Sequence, residues 1–263
     1  MVLMRWTGAV IAHRVVPELF DYSPSSPAGD AVEACGGASG NRMPNAWLIA
    51  AMRFEMIEFI GPGGQSAPRM TFNDKSSLLA FLKTRKSASA KAMGGDGPSQ
   101  AQLDDILATA TRVPDHGKLA PWRFILFEGA ARAKIGEAFK ARWAELNPSH
   151  GAESLDFQAR LFTRAPLVIV VVSTAKPHVK IPVWEQQMSA AAVCFNIELA
   201  AQAHGFDVQW QTEWVAYDDK AKAAMGVAAD ENVAGVIYIG QTTVPLEDRP
   251  RPDVVALVTR WGV

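Results

Sequence analysis

Two adjacent titratable residues, Asp115 and His116, are the first candidates for acid–base chemistry in this chain. A carboxylate beside an imidazole can act as a catalytic dyad, although a single histidine more often has a structural role. The five histidines are scattered without metal-ligand spacing, and Cys35 and Cys194 form no CxxC pair. We therefore expect no metal site and no disulfide scaffold, and a reducing cytoplasm as the location.

The signature motifs of several large enzyme classes are absent from the sequence. No GxGxxG follows a predicted strand, and there is no GxxxxGK[ST], HExxH or GxSxG. Gly94-Gly95-Asp96-Gly97 also follows no predicted strand, and it is interpreted as a flexible turn. An enzyme whose chemistry resides in a bound cofactor needs no such signature, because the protein supplies only binding, orientation and electrostatics.

Charge and hydrophobicity limit the partners that the chain can have. Its 263 residues carry a formal net charge of -1, so no excess of cations exists to hold a nucleic acid backbone. The apolar run at 166–172 is far shorter than the roughly 20 residues that a bilayer span needs. We expect neither a nucleic acid nor a membrane as partner.

Residues 1–69 differ in composition from the rest of the chain. They contain clusters of Gly and Pro, five Arg and no Lys, whereas all eleven Lys follow residue 70. Weak periodicity and this composition predict a disordered leader, or an upstream segment that is not part of the protein if translation starts at Met70. The predicted domain is residues 70–263.

Beyond residue 70, helical and strand patterns are mixed, and this predicts an α+β or three-layer α-β-α architecture. The helix at 76–85 is predicted to be amphipathic, with Leu78, Leu79 and Leu82 on one face, and the helix at 99–110 opens with a Ser99-x-x-Gln102 capping box. The other helices are expected at 130–146, 153–163, 184–204 and 218–225, and the strands at 122–127, 167–173, 206–210 and 233–239. The strand at 167–173 contains a continuous β-branched run, Val168–Val172, which predicts burial on both faces.

The helix at 184–204 is apolar nearly all round and rich in alanine. Such a helix must be covered on every side. It is therefore either a subunit interface or a central core helix, and the sequence favours neither.

Several collinear segments together resemble the nitroreductase family, in particular its compact YdjA-type branch. They span about residues 76–263, and residues 1–69 have no counterpart in the family pattern. The segments are Thr84–Ser89, Arg112–His116 with Pro121–Phe124, Arg164–Val172, Val183–Ala190 with Leu199–Phe206, and Gly235–Gly240 with Arg249–Pro252. The resemblance implies an α+β fold in which a three-layer α-β-α sandwich has a central mixed, mainly antiparallel sheet, assembled as an intertwined homodimer.

The resemblance also implies that FMN is the cofactor and that it lies at the dimer interface. Arg112 and His116 would come from the loop of the partner subunit, and Arg85, Lys86 and Arg251 would hold the phosphate. An arginine at a helix end can alternatively complement only the helix dipole. The implied FMN contacts are Arg85, Lys86, Ser87, Arg112, His116, Trp210, Gln211, Thr212 and Arg251.

Two residues depart from the family pattern near Trp210. Gln211 stands where the branch has an arginine, and Glu213 stands where it has a glycine. These departures bear on acceptor preference and flavin potential. Trp210 itself has an alternative role as a core residue.

The implied activity is a ping-pong transfer of hydride from NADH or NADPH, through flavin N5, to a nitroaromatic, quinone or similar electron-poor acceptor. The flavin carries the chemistry and water can supply protons, so no catalytic side chain is expected. A non-catalytic FMN-binding or regulatory dimer, or an enzyme of the same fold with other flavin chemistry, remains an alternative. In the branch, nicotinamide binding is assigned to the segment that aligns with Ala200, Ala201, Gln202, Ala203, His204 and Gly205. The end of an ordinary core helix is at least as good an interpretation of these residues.

Overall fold

The computed structural model of the protein describes residues 71–262, all of which belong to one compact unit. The predicted leader at 1–69, Met70 and Cys35 lie outside these residues. The six helices in the described part are α1 (Leu78–Thr84), α2 (Gln100–Ala110), α3 (Ala131–Leu146), α4 (Ala152–Ala159), α5 (Val183–Ala203) and α6 (Asp219–Ala224). The five strands there are β1 (Met93–Gly94), β2 (Trp122–Glu128), β3 (Leu167–Ser173), β4 (Asp207–Gln211) and β5 (Asn232–Thr242).

The strands form one sheet in which every pairing between described strands is antiparallel. β3 lies between β2 and β5, and β5 also pairs with β4 and, at its end, with the short β1. β3 and β5 shift register between Val171 and Val172. The β-branched run of β3 is buried at every position, which confirms the prediction of a central strand.

Alternate side chains of β3 point into two separate apolar cores, as the two-residue repeat of a strand requires. Val168, Val170 and Val172 pack into a core that includes Phe139 and Phe162. The intervening Ile169 and Val171 pack into a second core with residues of α2 and α5. Helices therefore cover both faces of the sheet, which confirms the three-layer α-β-α fold.

Helix α2 begins as its sequence predicts. The Ser99 hydroxyl accepts a hydrogen bond from the Gln102 amide, and the Gln102 side chain accepts one from the Ser99 amide, so the capping box is complete. These two contacts satisfy backbone donors that have no partner within the helix.

The apolar face predicted for α1 is exposed in this structure. Leu78, Leu79 and Leu82 are 75%, 61% and 49% exposed, and the buried residue of this helix is Phe81. Helix α4 is also shorter than predicted, because it ends at Ala159 and a 3₁₀ turn follows at Phe162–Arg164. The three leucines give α1 an apolar face that residues 71–262 of the same chain do not cover.

Helices α3 and α4 approach each other closely at Gly136. A Cβ atom placed on this glycine would lie 1.9 Å from the carbonyl oxygen of Ala159. Real Cβ atoms do not approach backbone atoms so closely. Only a residue without a side chain permits this contact.

Candidate functional site

A polar cleft of about 400 Å³ opens where the chain leaves α1. Four cations and no carboxylate line it, and they come from both ends of the domain sequence. The lining residues are Arg85, Lys86, Ser87, Ala88, Ser89, Gln209, Trp210, Arg249 and Arg251. The structure thus brings together Arg85, Lys86, Ser87, Trp210 and Arg251 from the set predicted by resemblance.

A second cavity of about 360 Å³ shares Lys86, Ser87 and Ser89 with this cleft. Its other side is formed by the chain that follows β5, including the apolar residues Val244 and Leu246. The cleft and this cavity therefore meet at residues 86–89, with cations on one side and apolar side chains on the other.

The segment at 85–89 is held from three directions. The Lys86 amide donates to Asn73 Oδ1 at 2.8 Å, and its carbonyl accepts from Gln202 Nε2 at 2.8 Å. The Ala88 amide donates to the carbonyl of Val208 at 3.0 Å. These contacts fix the backbone of an otherwise irregular segment before any ligand arrives, which is the requirement for a preorganised site.

Glu198, which the sequence analysis did not single out, lies directly behind this segment. Its side chain accepts a hydrogen bond from Ser87 Oγ at 3.0 Å and lies 3.6 Å from Arg85 Nη1. Arg85 Nη1 in turn donates to Ser87 Oγ at 3.2 Å. Burial raises the pKa of the Glu198 carboxyl, and Arg85 and Ser87 oppose that rise.

Trp210 packs against the backbone of β5 behind the cleft. Its indole N–H donates to the Ala234 carbonyl at 3.3 Å. A Cβ atom at Gly235 would lie 2.3 Å from Trp210 Nε1 and 2.9 Å from the Cys194 sulfur. Trp210 therefore has both predicted positions: it lines the cleft and also packs against the core.

Gln211 and Thr212 do not line the cleft. Gln211 Nε2 donates to Glu213 Oε1 at 2.9 Å, and Thr212 Oγ1 lies 3.0 Å from the hydroxyl of Tyr217. Glu213 also forms an ion pair with Arg164. Gln211 thus binds Glu213, Thr212 binds Tyr217, and neither faces the cations of the cleft.

Glu213 adopts a backbone conformation that favours glycine, with φ 55° and ψ 177°. A residue with a Cβ atom is strained there by about 1–3 kcal/mol, and the surrounding structure must compensate. The Glu213 side chain forms an ion pair with Arg164 and accepts a hydrogen bond from Gln211. The two departures from the family pattern are thus physically coupled in this chain.

Asp115 and His116 do not form a catalytic dyad. Asp115 accepts hydrogen bonds from the amides of Leu119 and Ala120, at 3.2 and 2.8 Å, and so shapes the loop. His116 Nδ1 instead lies 2.6 Å from Glu185 Oε2. The dyad interpretation is wrong because the loop directs the two side chains to different partners.

His116 lies in a separate, mainly apolar pocket of about 300 Å³ with Pro114, Met188 and Ala192. Arg112, another predicted FMN contact, is exposed just after α2 and also lies outside the cleft. The resemblance assigns both residues to the cofactor of a partner subunit, and that assignment stays a prediction.

Half of the segment predicted to bind nicotinamide lies in the core. Ala200, Ala201 and Gln202 are buried, and the Gln202 side chain holds the Lys86 carbonyl. His204 Nε2 lies 2.8 Å from Asp105 Oδ2, and the positive φ of Gly205 follows the end of α5. Ala203 is exposed beside His204. This geometry favours the alternative interpretation, an ordinary helix end that supports the cleft.

Within residues 71–262, no group of three or more His, Cys, Asp or Glu side chains is arranged to hold a metal ion. No helix in the same range combines the length and hydropathy needed to cross a membrane. Cys194 is buried, and burial raises its thiol pKa to about 12. The thiol is therefore not a nucleophile at neutral pH.

Known relatives cover most of this domain. A protein from Haemophilus influenzae, whose name proposes an NAD(P)H nitroreductase, is 38% identical over 164 residues, which are 62% of this chain and 86% of that protein. YdjA from Escherichia coli, whose name proposes the same activity, is 30% identical over 162 residues, again 62% of this chain and 86% of that protein.

Solved structures show the same fold. A variant of NfnB from a Sphigopyxis strain, described as an FMN- and NADPH-dependent nitroreductase, superposes with a TM-score of 0.55 at 20% identity. The match covers 71% of this chain and all of that one. The model of the nitroreductase family matches residues 82–241, more than half of the chain. This chain therefore belongs to the nitroreductase family, and it is an oxidoreductase of that type.

Proposed function

We propose that the chain is an FMN-dependent NAD(P)H oxidoreductase that reduces nitroaromatics, quinones or similar electron-poor small molecules. The observation that carries the proposal is the cleft at residues 85–89, where Arg85, Lys86, Arg249 and Arg251 converge. The names of the relatives, and the FMN and NADPH dependence of the structural neighbour NfnB, support the same cofactors.

The residues of the cleft fit FMN. A phosphate monoester carries a charge of about -1.5 to -2 at neutral pH. Four cations line the cleft, and Glu198 beside Arg85 and Asp248, 2.8 Å from Arg251 Nη2, balance only part of their charge. Arg85, Lys86 and Arg251 would hold the phosphate, and Ser87 would add a hydroxyl. The neighbouring cavity offers both polar and apolar walls, as an amphipathic ring system with a polar chain requires.

When bound, FMN supplies the redox chemistry, since it can accept two electrons from a reduced nicotinamide and pass them to an acceptor. The protein's part is to bind and orient. Water can supply the protons, so the proposal requires no catalytic acid in the cleft. Donor and acceptor would use the same position in turn, which is a ping-pong order.

We further propose that the working form is a homodimer. Trp184, Met188 and Phe195 lie along one face of α5 and are 68%, 54% and 40% exposed. Contiguous exposed apolar side chains of this size mark interaction surfaces. A second copy of the chain would cover them, and it would bring the pocket with His116, together with Arg112, to the cofactor of its partner. The cytoplasmic location predicted from the separate cysteines stays a prediction.

Replacing Trp184 with glutamate should convert the dimer to a monomer. An unpaired charge buried in an apolar interface costs several kcal/mol, so the dimer dissociation constant should rise by roughly hundredfold or more. Sedimentation velocity over a concentration series measures this change. Leu146→Glu is the control, because Leu146 is exposed on α3, in the layer on the other side of the sheet. Equal dimerisation of Trp184→Glu and the wild type would exclude α5 as the interface.

Anaerobic titration of the FMN-loaded protein with NADH and with NADPH tests the activity itself. Loss of the flavin absorbance bands, followed by their return when a nitroaromatic or quinone is added, is the expected result. A protein that binds FMN but is not reduced by either nicotinamide would instead be a non-catalytic flavin-binding dimer. The coupled departures at Gln211 and Glu213 are the observation that favours this second candidate. Reduction by nicotinamide with no return on adding acceptor would indicate other flavin chemistry on the same fold.

A further inference from the structure

Glu198 is an unusual residue for its place in the fold. It lies in the C-terminal half of α5, where its neighbours Ile197 and Ala201 are fully buried, and it is itself only 4% exposed. Carboxylates are almost never buried this deeply unless they are paired. Its partners are Ser87 Oγ at 3.0 Å and Arg85 Nη1 at 3.6 Å, both on the segment that lines the cationic cleft.

The charge of Glu198 is opposite to what a phosphate site requires. A buried anion next to Arg85 reduces the attraction of that arginine for another anion. The hydrogen bonds of Glu198 have the opposite effect, because they orient Arg85 for an anion. Glu198 accepts a hydrogen bond from Ser87, and Ser87 accepts one from Arg85 Nη1. The chain Arg85–Ser87–Glu198 thus restricts an arginine side chain that otherwise loses considerable rotamer entropy when a ligand binds.

We propose that Glu198 is a positioning residue for the cofactor phosphate: through Ser87 it holds the Arg85 guanidinium in its binding orientation. The inference rests on the proposed function, since it takes FMN as the ligand of the cleft. Glu198 would thus contribute to FMN binding without contacting FMN.

Burying the Glu198 carboxyl reduces the stability of the folded domain when the carboxyl is charged. Burial raises the pKa of the Glu198 carboxyl, and it outweighs the opposing effects of Arg85 and Ser87. Because this pKa is raised on folding, the folded state favours the neutral carboxyl. The stabilisation that Glu198 contributes is present below the pKa of the unfolded chain and is lost as pH rises through the pKa of the folded chain. The charged carboxylate therefore contributes less to folding stability than the neutral carboxyl does. The groups near it are Arg85, Ser87, the backbone amide of Trp210 and the thiol of Cys194.

The test compares Glu198→Gln with the wild type, using FMN and riboflavin as the two ligands. Glutamine keeps the shape and an acceptor for Ser87, but it removes the charge that strengthens the Ser87 hydrogen bond and attracts Arg85 Nη1. FMN affinity, measured by quenching of flavin fluorescence, should fall about tenfold, whereas riboflavin affinity should stay the same because riboflavin has no phosphate. The melting temperature of the flavin-free variant should equal or exceed that of the wild type.

Two further proteins complete the experiment. Glu137→Gln removes an exposed carboxylate on α3 and should change neither affinity. In the Arg85→Gln background, Glu198→Gln should have no additional effect on FMN affinity, because the residue through which it acts is gone.

Each other outcome contradicts the inference. Unchanged FMN affinity, or equal losses for FMN and riboflavin, would show that Glu198 does not act through the phosphate site. A variant that melts below the wild type or fails to fold would show that the carboxylate stabilises the fold instead. If the wild type binds no FMN, the proposed function itself is contradicted. If the wild type and Glu198→Gln bind FMN equally well, only the role of Glu198 is contradicted.

Discussion

Replacing Arg85 with glutamine should weaken FMN binding by about tenfold to hundredfold, since a charge-assisted hydrogen bond contributes about 1.5–3 kcal/mol. Arg85 lines the cleft, is oriented by Ser87 and lies over the ring of Phe195, with its Cζ 5.5 Å from the ring centroid. The loss should be confined to ligands that carry a phosphate. Isothermal titration with FMN and with riboflavin measures both affinities.

Lys83→Gln is the matched control for this substitution. Lys83 is an exposed cation in the last turn of α1, only two residues from Arg85, but it does not line the cleft. Its removal changes the net charge by the same amount and should leave FMN affinity nearly unchanged. If the two variants lose affinity equally, the effect is one of overall charge and the cleft is not the phosphate site.

Replacing Gly136 with alanine should destabilise the domain by about 1–3 kcal/mol. Two effects of opposite sign compete at this helical position. Alanine gains about 0.5–1 kcal/mol of helix propensity over glycine, but its Cβ would lie 1.9 Å from the Ala159 carbonyl oxygen, which is backbone and cannot rotate away. Helices α3 and α4 must therefore separate, and the core around Phe139 loses contacts. Urea denaturation monitored by circular dichroism measures the change.

Gly94→Ala provides the comparison, because a Cβ atom at Gly94 meets no other atom within 4 Å. This variant should unfold within about 0.5 kcal/mol of the wild type, as surface substitutions usually do. An increase in stability for Gly136→Ala would mean that the two helices are free to move apart and that their close approach is not a constraint of the fold.

The elements that the sequence predicts well are those whose signals are local. The capping box of α2 needs only four residues, and the β-branched run of β3 identifies a buried strand without any knowledge of its neighbours. The exposed face of α1 could not be predicted in this way. Periodicity shows that Leu78, Leu79 and Leu82 share a face, but it does not show whether the rest of the domain packs against that face.

The candidate site was predictable only in part. The resemblance identified Arg85, Lys86 and Arg251, whose proximity depends on the fold, and no local pattern connects residues so distant in sequence. Glu198 was missed, although a signal existed: it is a single acidic residue in the middle of an apolar helical stretch, 188–203. Such a residue is either exposed or buried with a partner, and only the structure identifies Arg85 and Ser87 as the partners.

The walls of the cleft come from chain segments that are far apart, at 85–89, 209–210 and 249–251, with Glu198 behind them. A ligand that binds this assembled surface cannot bind an unfolded chain, in which these segments are separated. Occupancy should therefore shift the folding equilibrium, by about 2.7 kcal/mol when the free ligand concentration is 100 times its dissociation constant. The supply of the vitamin from which FMN is made would then influence how much of this protein survives proteolysis in the cell.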